Sequence, residues 1–218
     1  MFRMNCSITA LLAMVLLFTT AIVFAQNQNN IAATAPAGTG DPLAGKSKSL
    51  LCQGCHGEDG NSLSTLVPKL AGQNAGYITK QVHNFQAGKR KHAIMNDLAM
   101  TVNDNDLADI AAYFSSRDIM KGDGSTNEKA GENLFLTGDP SRKIVACSNC
   151  HGANGKGLNP NPTMIPVIGG QNKDYLSRQL INFRDGDRSN SPDGVMNEMA
   201  KSLTDTEIES LAAYISGL

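Results

Sequence analysis

Tryptophan is absent from this chain, and all aromatic residues together make up only 5% of it. Aromatic rings carry the largest apolar areas available to a fold, so side chains alone would build thin cores here. Cysteine is confined to Cys6 and two C-x-x-C pairs, Cys52/Cys55 and Cys147/Cys150, which leaves no thiol for a separate structural disulfide. Neither sign of charge is in surplus, with 19 Lys and Arg against 20 Asp and Glu. The basic face that a nucleic-acid binder needs is therefore missing. No stretch alternates convincingly with period two, the mark of a half-buried strand, and this points away from sheets and toward an all-α fold. Long apolar runs are limited to one, Ile8 to Ala25, interrupted only by threonines.

That run has Arg3 ahead of it and Gln26-Asn27-Gln28-Asn29-Asn30 behind it. A positive start, an apolar stretch and a small residue at Ala25 make a secretory signal over 1–25, and hence a periplasmic address. An uncleaved membrane anchor is the alternative, because the run has about the minimum length for a span. Cys6 precedes the run and leaves with the signal. Residues 26–40, rich in Ala, Thr, Gly and Pro toward their end, read as a flexible leader.

The most telling motif is Cys52-Gln53-Gly54-Cys55-His56, which returns as Cys147-Ser148-Asn149-Cys150-His151. C-x-x-C-H is the attachment signature of c-type haem. Two thiols at this spacing can add to the two vinyl groups on one porphyrin edge, and the histidine that follows is held under the iron as an axial ligand. A redox disulfide and a zinc site are the competing readings. A thioredoxin-like pair does not need the adjacent histidine. Zinc ribbons bring their pairs within about 15–20 residues, whereas 91 residues separate Cys55 from Cys147. Two covalently attached haems on one chain follow, and each porphyrin supplies the apolar bulk that the side chains lack.

The chain also repeats itself. His56 matches His151 at an offset of 95; Pro68, Gly72-Gln73-Asn74, Tyr77, Gln81 and Asn84-Phe85 match their counterparts from Pro166 to Phe183 at 98; Met95, Ala99, Leu107 and Ile110 to Tyr113 match Met196 to Tyr214 at 101. One domain has been duplicated, over 41–117 and 128–218, with a linker at 118–127 marked by Gly122-Asp123-Gly124-Ser125. Within each unit a short helix (Asp41–Leu51; Glu128–Leu136) leads into the haem motif, and a middle helix runs to Phe85 or Phe183. The final helix buries Leu107, Ile110, Ala111 and Phe114, or Ile208, Leu211, Ala212 and Ile215, at i, i+3, i+4 and i+7. Thr204 with Glu207 forms a capping box at the second start, and Asn103 with Asp106 a weaker version at the first.

Each iron needs a ligand opposite its histidine. Only Met95 and Met196 are methionine in both units: Met100 faces Lys201, Met199 faces Leu98, Met164 faces Leu66, and Met120 is in the linker. Met95 and Met196 are expected in loops before the final helix, and thioether is the customary partner of histidine in cytochromes. Core filling is the other role such methionines take. His83 and His92 are the rival ligands. His83 pairs with Ile181, and His92 sits among Lys89, Arg90 and Lys91 with no histidine in its counterpart. Pro68 and Pro166 are candidates to accept the second ring N–H of each histidine through their carbonyls. Arg90 and Arg188 are a matched pair, suited either to haem propionates or to an ordinary surface.

From Asp41 to Leu218 the chain resembles the dihaem cytochrome c4 proteins. Besides the haem motifs, Pro68-Lys69-Leu70-Ala71-Gly72-Gln73, Asp109 to Ser116 and Tyr214-Ile215-Ser216-Gly217-Leu218 carry the resemblance. It implies two tandem class I cytochrome c domains related by a pseudo-twofold axis, with propionates near the domain interface and His/Met ligation at both irons. Members are periplasmic, often membrane-associated, and pass electrons from a quinol:cytochrome c reductase toward a terminal oxidase. The ligand set is thus Cys52, Cys55, His56 and Met95 for one haem, and Cys147, Cys150, His151 and Met196 for the other. An electron carrier, not an enzyme, is expected: a peroxidase needs an exchangeable iron site, and a thiosulfate-oxidising cytochrome needs an extra cysteine. The alternative is the haem subunit of a flavocytochrome c sulfide dehydrogenase or a similar periplasmic dehydrogenase. Charge separates the halves slightly, +1 over 26–117 and −2 over 128–218.

Overall fold

The computed structural model describes residues 40–158 and 165–218. The expected signal, the leader up to residue 39 and Met164 lie outside the described residues. In chain order come α1 (Pro42–Lys48), α2 (Leu50–His56), α3 (Ala75–Gln86), α4 (Ala93–Ala99) and α5 (Asp104–Ser115). The second unit has α6 (Lys129–Thr137), α7 (Ser148–His151), α8 (Lys173–Asp185), α9 (Val195–Ala200) and α10 (Asp205–Gly217). Among the described residues the only strand-like pairing is one isolated bridge, Asp139 to Ile144.

Each unit is arranged around its final helix. Helix α5 packs on α1 and α3, and α10 packs on α6 and α8. The apolar stripe forecast from helical spacing is buried on both helices, each large aliphatic side chain contributing about 1.5–3 kcal/mol when fully removed from water. Glycine allows the closest crossing. A Cβ on Gly45 of α1 would stand 2.0 Å from the Asp109 carbonyl oxygen, and one on Gly131 of α6 2.1 Å from that of Ser210. The same backbone-to-helix approach is thus used twice. Thr204 and Glu207 form a reciprocal capping box at the start of α10, whereas at the start of α5 Asn103 accepts from the Asp106 N–H at 3.0 Å.

Two expectations are corrected. The helix before the first haem motif does not end near Leu51. It breaks at fully buried Ser49 and resumes as α2, which carries Cys52, Cys55 and His56 themselves. Met95 and Met196 lie on short helices, α4 and α9, instead of in loops. Helix α4 starts on His92, whose Nδ1 accepts the Met95 N–H at 3.3 Å. Seven residues are too few for periodicity to reveal such a helix.

The two units meet in a reciprocal interface. Gln73 bonds both backbone groups of Val167, and Gln171 bonds both backbone groups of Lys69. Asn74 donates to the Ile165 carbonyl, and Asn172 to that of Val67 at 2.7 Å. Each partner lies 98 residues from its equivalent, so the contact is isologous within one chain, as expected of a pseudo-twofold relation. The stretch read as a linker is packed into this contact. Met120 is buried with Ala71 and Val167 in a small apolar cluster, its N–H donating to the Ala71 carbonyl. Gly122 and Gly124 then pair with the carbonyls of Leu218 and Gly217.

Candidate haem centres

Helix α2 places Cys52 and Cys55 one turn apart on one face, which is what spacing i, i+3 dictates. In the second unit Cys147 caps α7, and Cys150 and His151 lie within it. All four thiols are free. The first of each pair is partly buried against its own core, Cys52 with Leu70 and Cys147 with Ile168, while Cys55 and Cys150 are exposed. Burial raises the Cys52 thiol pKa and pushes that of Cys147 up to about 11. Among the described residues no three His, Cys, Asp or Glu side chains group to hold a metal ion. The two pairs therefore do not assemble the four-thiolate site of a zinc ribbon.

The histidines are the decisive part. His56 and His151 are both buried. The Nδ1 of His56 lies 2.8 Å from the Pro68 carbonyl oxygen, and that of His151 lies 2.9 Å from the Pro166 oxygen. A carbonyl can only accept, so Nδ1 is protonated and Nε2 carries the free lone pair. Burial lowers both pKa values, opposed by the carbonyl bonds, and this favours neutral imidazole. A neutral imidazole with its tautomer fixed by a backbone oxygen is the donor an iron centre requires.

The candidate sixth ligands are held with equal care. Asn96, next to Met95, donates to the carbonyls of Phe85 and Arg90 at 2.7 and 3.0 Å. Asn197, next to Met196, donates to those of Phe183 and Arg188 at 2.7 and 2.8 Å. The Met-Asn dipeptide recurs in both units, at 95–96 and 196–197. Met196 packs against the second core together with Cys147; Met95 is half-buried on α4, which packs on α3. Of the rival histidines, His83 is half exposed and bonded to Asp104 at 3.0 Å, and His92 is engaged as the cap of α4.

Apolar side chains without protein cover stand beside each element in sequence, and they do so in pairs related by the repeat. Leu50 and Val145 precede the cysteines, Leu63 and Leu158 follow the histidines, and Ile94 and Val195 precede the methionines; all six are exposed. Six exposed apolar residues at equivalent positions suit a large flat apolar group in each unit.

Arg90 and Arg188 are not ordinary surface charges. Arg188 is 6% exposed and lies over the Phe183 ring, as Arg90 does over Phe85. Each reaches across the interface: Arg90 donates to the Tyr175 hydroxyl and Arg188 to the Tyr77 hydroxyl, both at 3.0 Å. Both also donate to the side-chain amide oxygens (Oε1) of Gln81 and Gln179. The sequence paired these residues by offset but gave no sign that they cross between domains.

The cytochrome c family model matches residues 44–118 and 129–218, one stretch per unit. Cytochrome c4 of Pseudomonas aeruginosa is 41% identical over 181 residues, which is 82% of this chain and 89% of that protein. The chain belongs to the cytochrome c4 family. The crystal structure of reduced recombinant cytochrome c4 from Pseudomonas stutzeri superposes with a TM-score of 0.76 at 38% identity, covering 83% of this chain and all of that one. A thiosulfate dehydrogenase electron acceptor from Stutzerimonas stutzeri is 32% identical over 174 residues, 78% of this chain and 79% of that protein. Like other cytochrome c4 proteins, the chain has two cytochrome c domains that bind covalently attached haem c and serve electron transfer, not turnover of a substrate.

Proposed function

We propose that Cys52, Cys55, His56 and Met95 hold one haem and Cys147, Cys150, His151 and Met196 the other. The haem, when bound, supplies a one-electron Fe(III)/Fe(II) couple. The protein supplies everything that tunes it. The thiols fix the macrocycle, each imidazole offers Nε2, and each methionine offers a thioether that favours the ferrous state. The observation that carries this reading is the paired Nδ1 bond to Pro68 and Pro166, since it orients both imidazoles in the same way. Arg188, buried, and Arg90, half-buried, have no carboxylate partner among the described residues and suit propionates at the interface.

The route we infer runs in the periplasm from a quinol:cytochrome c reductase to a terminal oxidase, with the protein free or peripherally attached to the membrane. Among the described residues no helix is long and apolar enough to cross a membrane. A second reading, electron acceptor of a periplasmic dehydrogenase, is favoured by the thiosulfate dehydrogenase acceptor among the relatives; a flavocytochrome c sulfide dehydrogenase is another form of it. The test is to offer the oxidised holoprotein each donor in turn. Fast reduction by a quinol:cytochrome c reductase, then oxidation by a terminal oxidase, is expected. Reduction only by a dehydrogenase with its substrate, and no reaction with the oxidase, would favour the second reading.

A further inference from the structure

The repeat makes an internal control for surface charge. The loop between α3 and α4 and the loop between α8 and α9 have the same backbone anchoring. The N–H of Arg90 donates to the Asn84 carbonyl at 3.0 Å, and that of Arg188 to the Asn182 carbonyl at 2.9 Å. Asn96 and Asn197 close the two loops in the same way. Both arginines turn inward to the interface, so the residues on either side face solvent. There the copies diverge. Lys89 and Lys91 flank Arg90, whereas Asp187 and Ser189 flank Arg188, and all four are exposed. Asp193, also exposed, adds a second negative charge to the longer second loop. On the following helices Asp97 is matched by Glu198, so the difference lies in the loops.

Packing does not require this difference. The anchoring of the two loops by Asn84 and Asn96, or Asn182 and Asn197, is shared, and Lys89 and Lys91 make no ion pair or side-chain hydrogen bond among the described residues. Lys46 and Lys48, by contrast, are neutralised by Glu58 and by Asp106 and Asp109. The free cations of the first domain are therefore gathered in the loop that leads into the Met95 helix.

We propose that the Lys89–Lys91 loop is the docking surface for an acidic electron-transfer protein, and that Asp187 and Asp193 keep the same partner off the second domain. The idea rests on the carrier reading. Complementary charge speeds encounter and rejects the wrong face, so the two ends of one carrier would be told apart by these loops.

The test uses the reduced, full-length holoprotein in stopped-flow oxidation by an acidic blue-copper protein, with a basic mitochondrial cytochrome c and neutral benzoquinone as comparisons. Lys89→Glu with Lys91→Glu should slow transfer to the acidic protein by about tenfold or more at low salt, within the range over which steering changes association. The double change to Gln should fall between. Both should leave the reaction with benzoquinone unchanged, which also reports intact haem sites. Asp187→Lys with Asp193→Lys should speed transfer to the acidic protein by opening a second face. Unchanged rate and salt slope in the Glu variant would overturn the docking surface while leaving the carrier reading intact. Failure of the unmutated holoprotein to react with either redox protein, while reacting with benzoquinone, would overturn the carrier reading and the docking surface with it.

Discussion

Gln73 clamps Val167 with both ends of its amide, donating to the Val167 carbonyl at 2.8 Å and accepting its N–H at 2.9 Å. Both residues are buried, and the pair spans the two domains. Gln73→Leu keeps the volume but leaves two buried backbone groups without partners, and such a loss costs about 1–3 kcal/mol. Urea denaturation of the holoprotein should show a lower midpoint, and Gln171→Leu should behave alike through Lys69. Unchanged midpoints would mean that the reciprocal clamp contributes nothing to stability.

Haem stoichiometry is the most direct check on the motifs. Intact mass should equal the mature chain plus two haem groups, both retained in acidified ketone. Replacing Cys147 and Cys150 by Ala should leave one covalent haem, on Cys52 and Cys55. A parent protein carrying one haem would refute the assignment.

Axial ligation separates the methionines. Met95→Ala and Met196→Ala should each remove about half of the near-infrared charge-transfer band of ferric His/Met haem and lower the potential of one site, because thioether ligation favours Fe(II). Met100, which is exposed on the far end of α4, should tolerate Ala with the band intact. Loss of the band in Met100→Ala or Met199→Ala would refute the choice made from the repeat.

Acid stability of the second domain should depend on Glu207. Its carboxylate caps α10 and pairs with Arg142 at 2.6 Å, and these bonds hold its pKa at about 2 against an ordinary 4.5. The folded value lies below the unfolded one, so the stabilisation is complete above pH 4.5 and disappears as pH falls toward 2. Glu207→Gln should therefore be less stable than the parent at pH 7, with the gap closing between pH 4.5 and 2. Thermal melts across that range measure it. A constant gap would show that the charge on Glu207 is not what Arg142 and the cap require.

Much of this molecule was written in the one-dimensional pattern. The final helices were legible because Leu107 to Phe114 and Ile208 to Ile215 keep helical spacing, and Thr204 with Glu207 announces a start. The haem motifs were legible because attachment chemistry demands fixed local spacing. The Pro68 and Pro166 carbonyls could be named because a ligating histidine needs an acceptor and each proline recurs at the same place in the repeat. Tertiary structure alone decided the rest. The helices carrying Met95 and Met196 are too short to show a period, and they depend on anchoring by Asn96 and Asn197 to carbonyls of the preceding loop and helix. Met120 looked like part of a tether until burial with Ala71 and Val167 placed it between domains. Arg90 and Arg188 were legible as a pair, but pairing by offset says which residues are equivalent, not which ones touch. Contact across a pseudo-twofold axis joins each residue to a neighbour of its equivalent, and only folding both copies together reveals that neighbour.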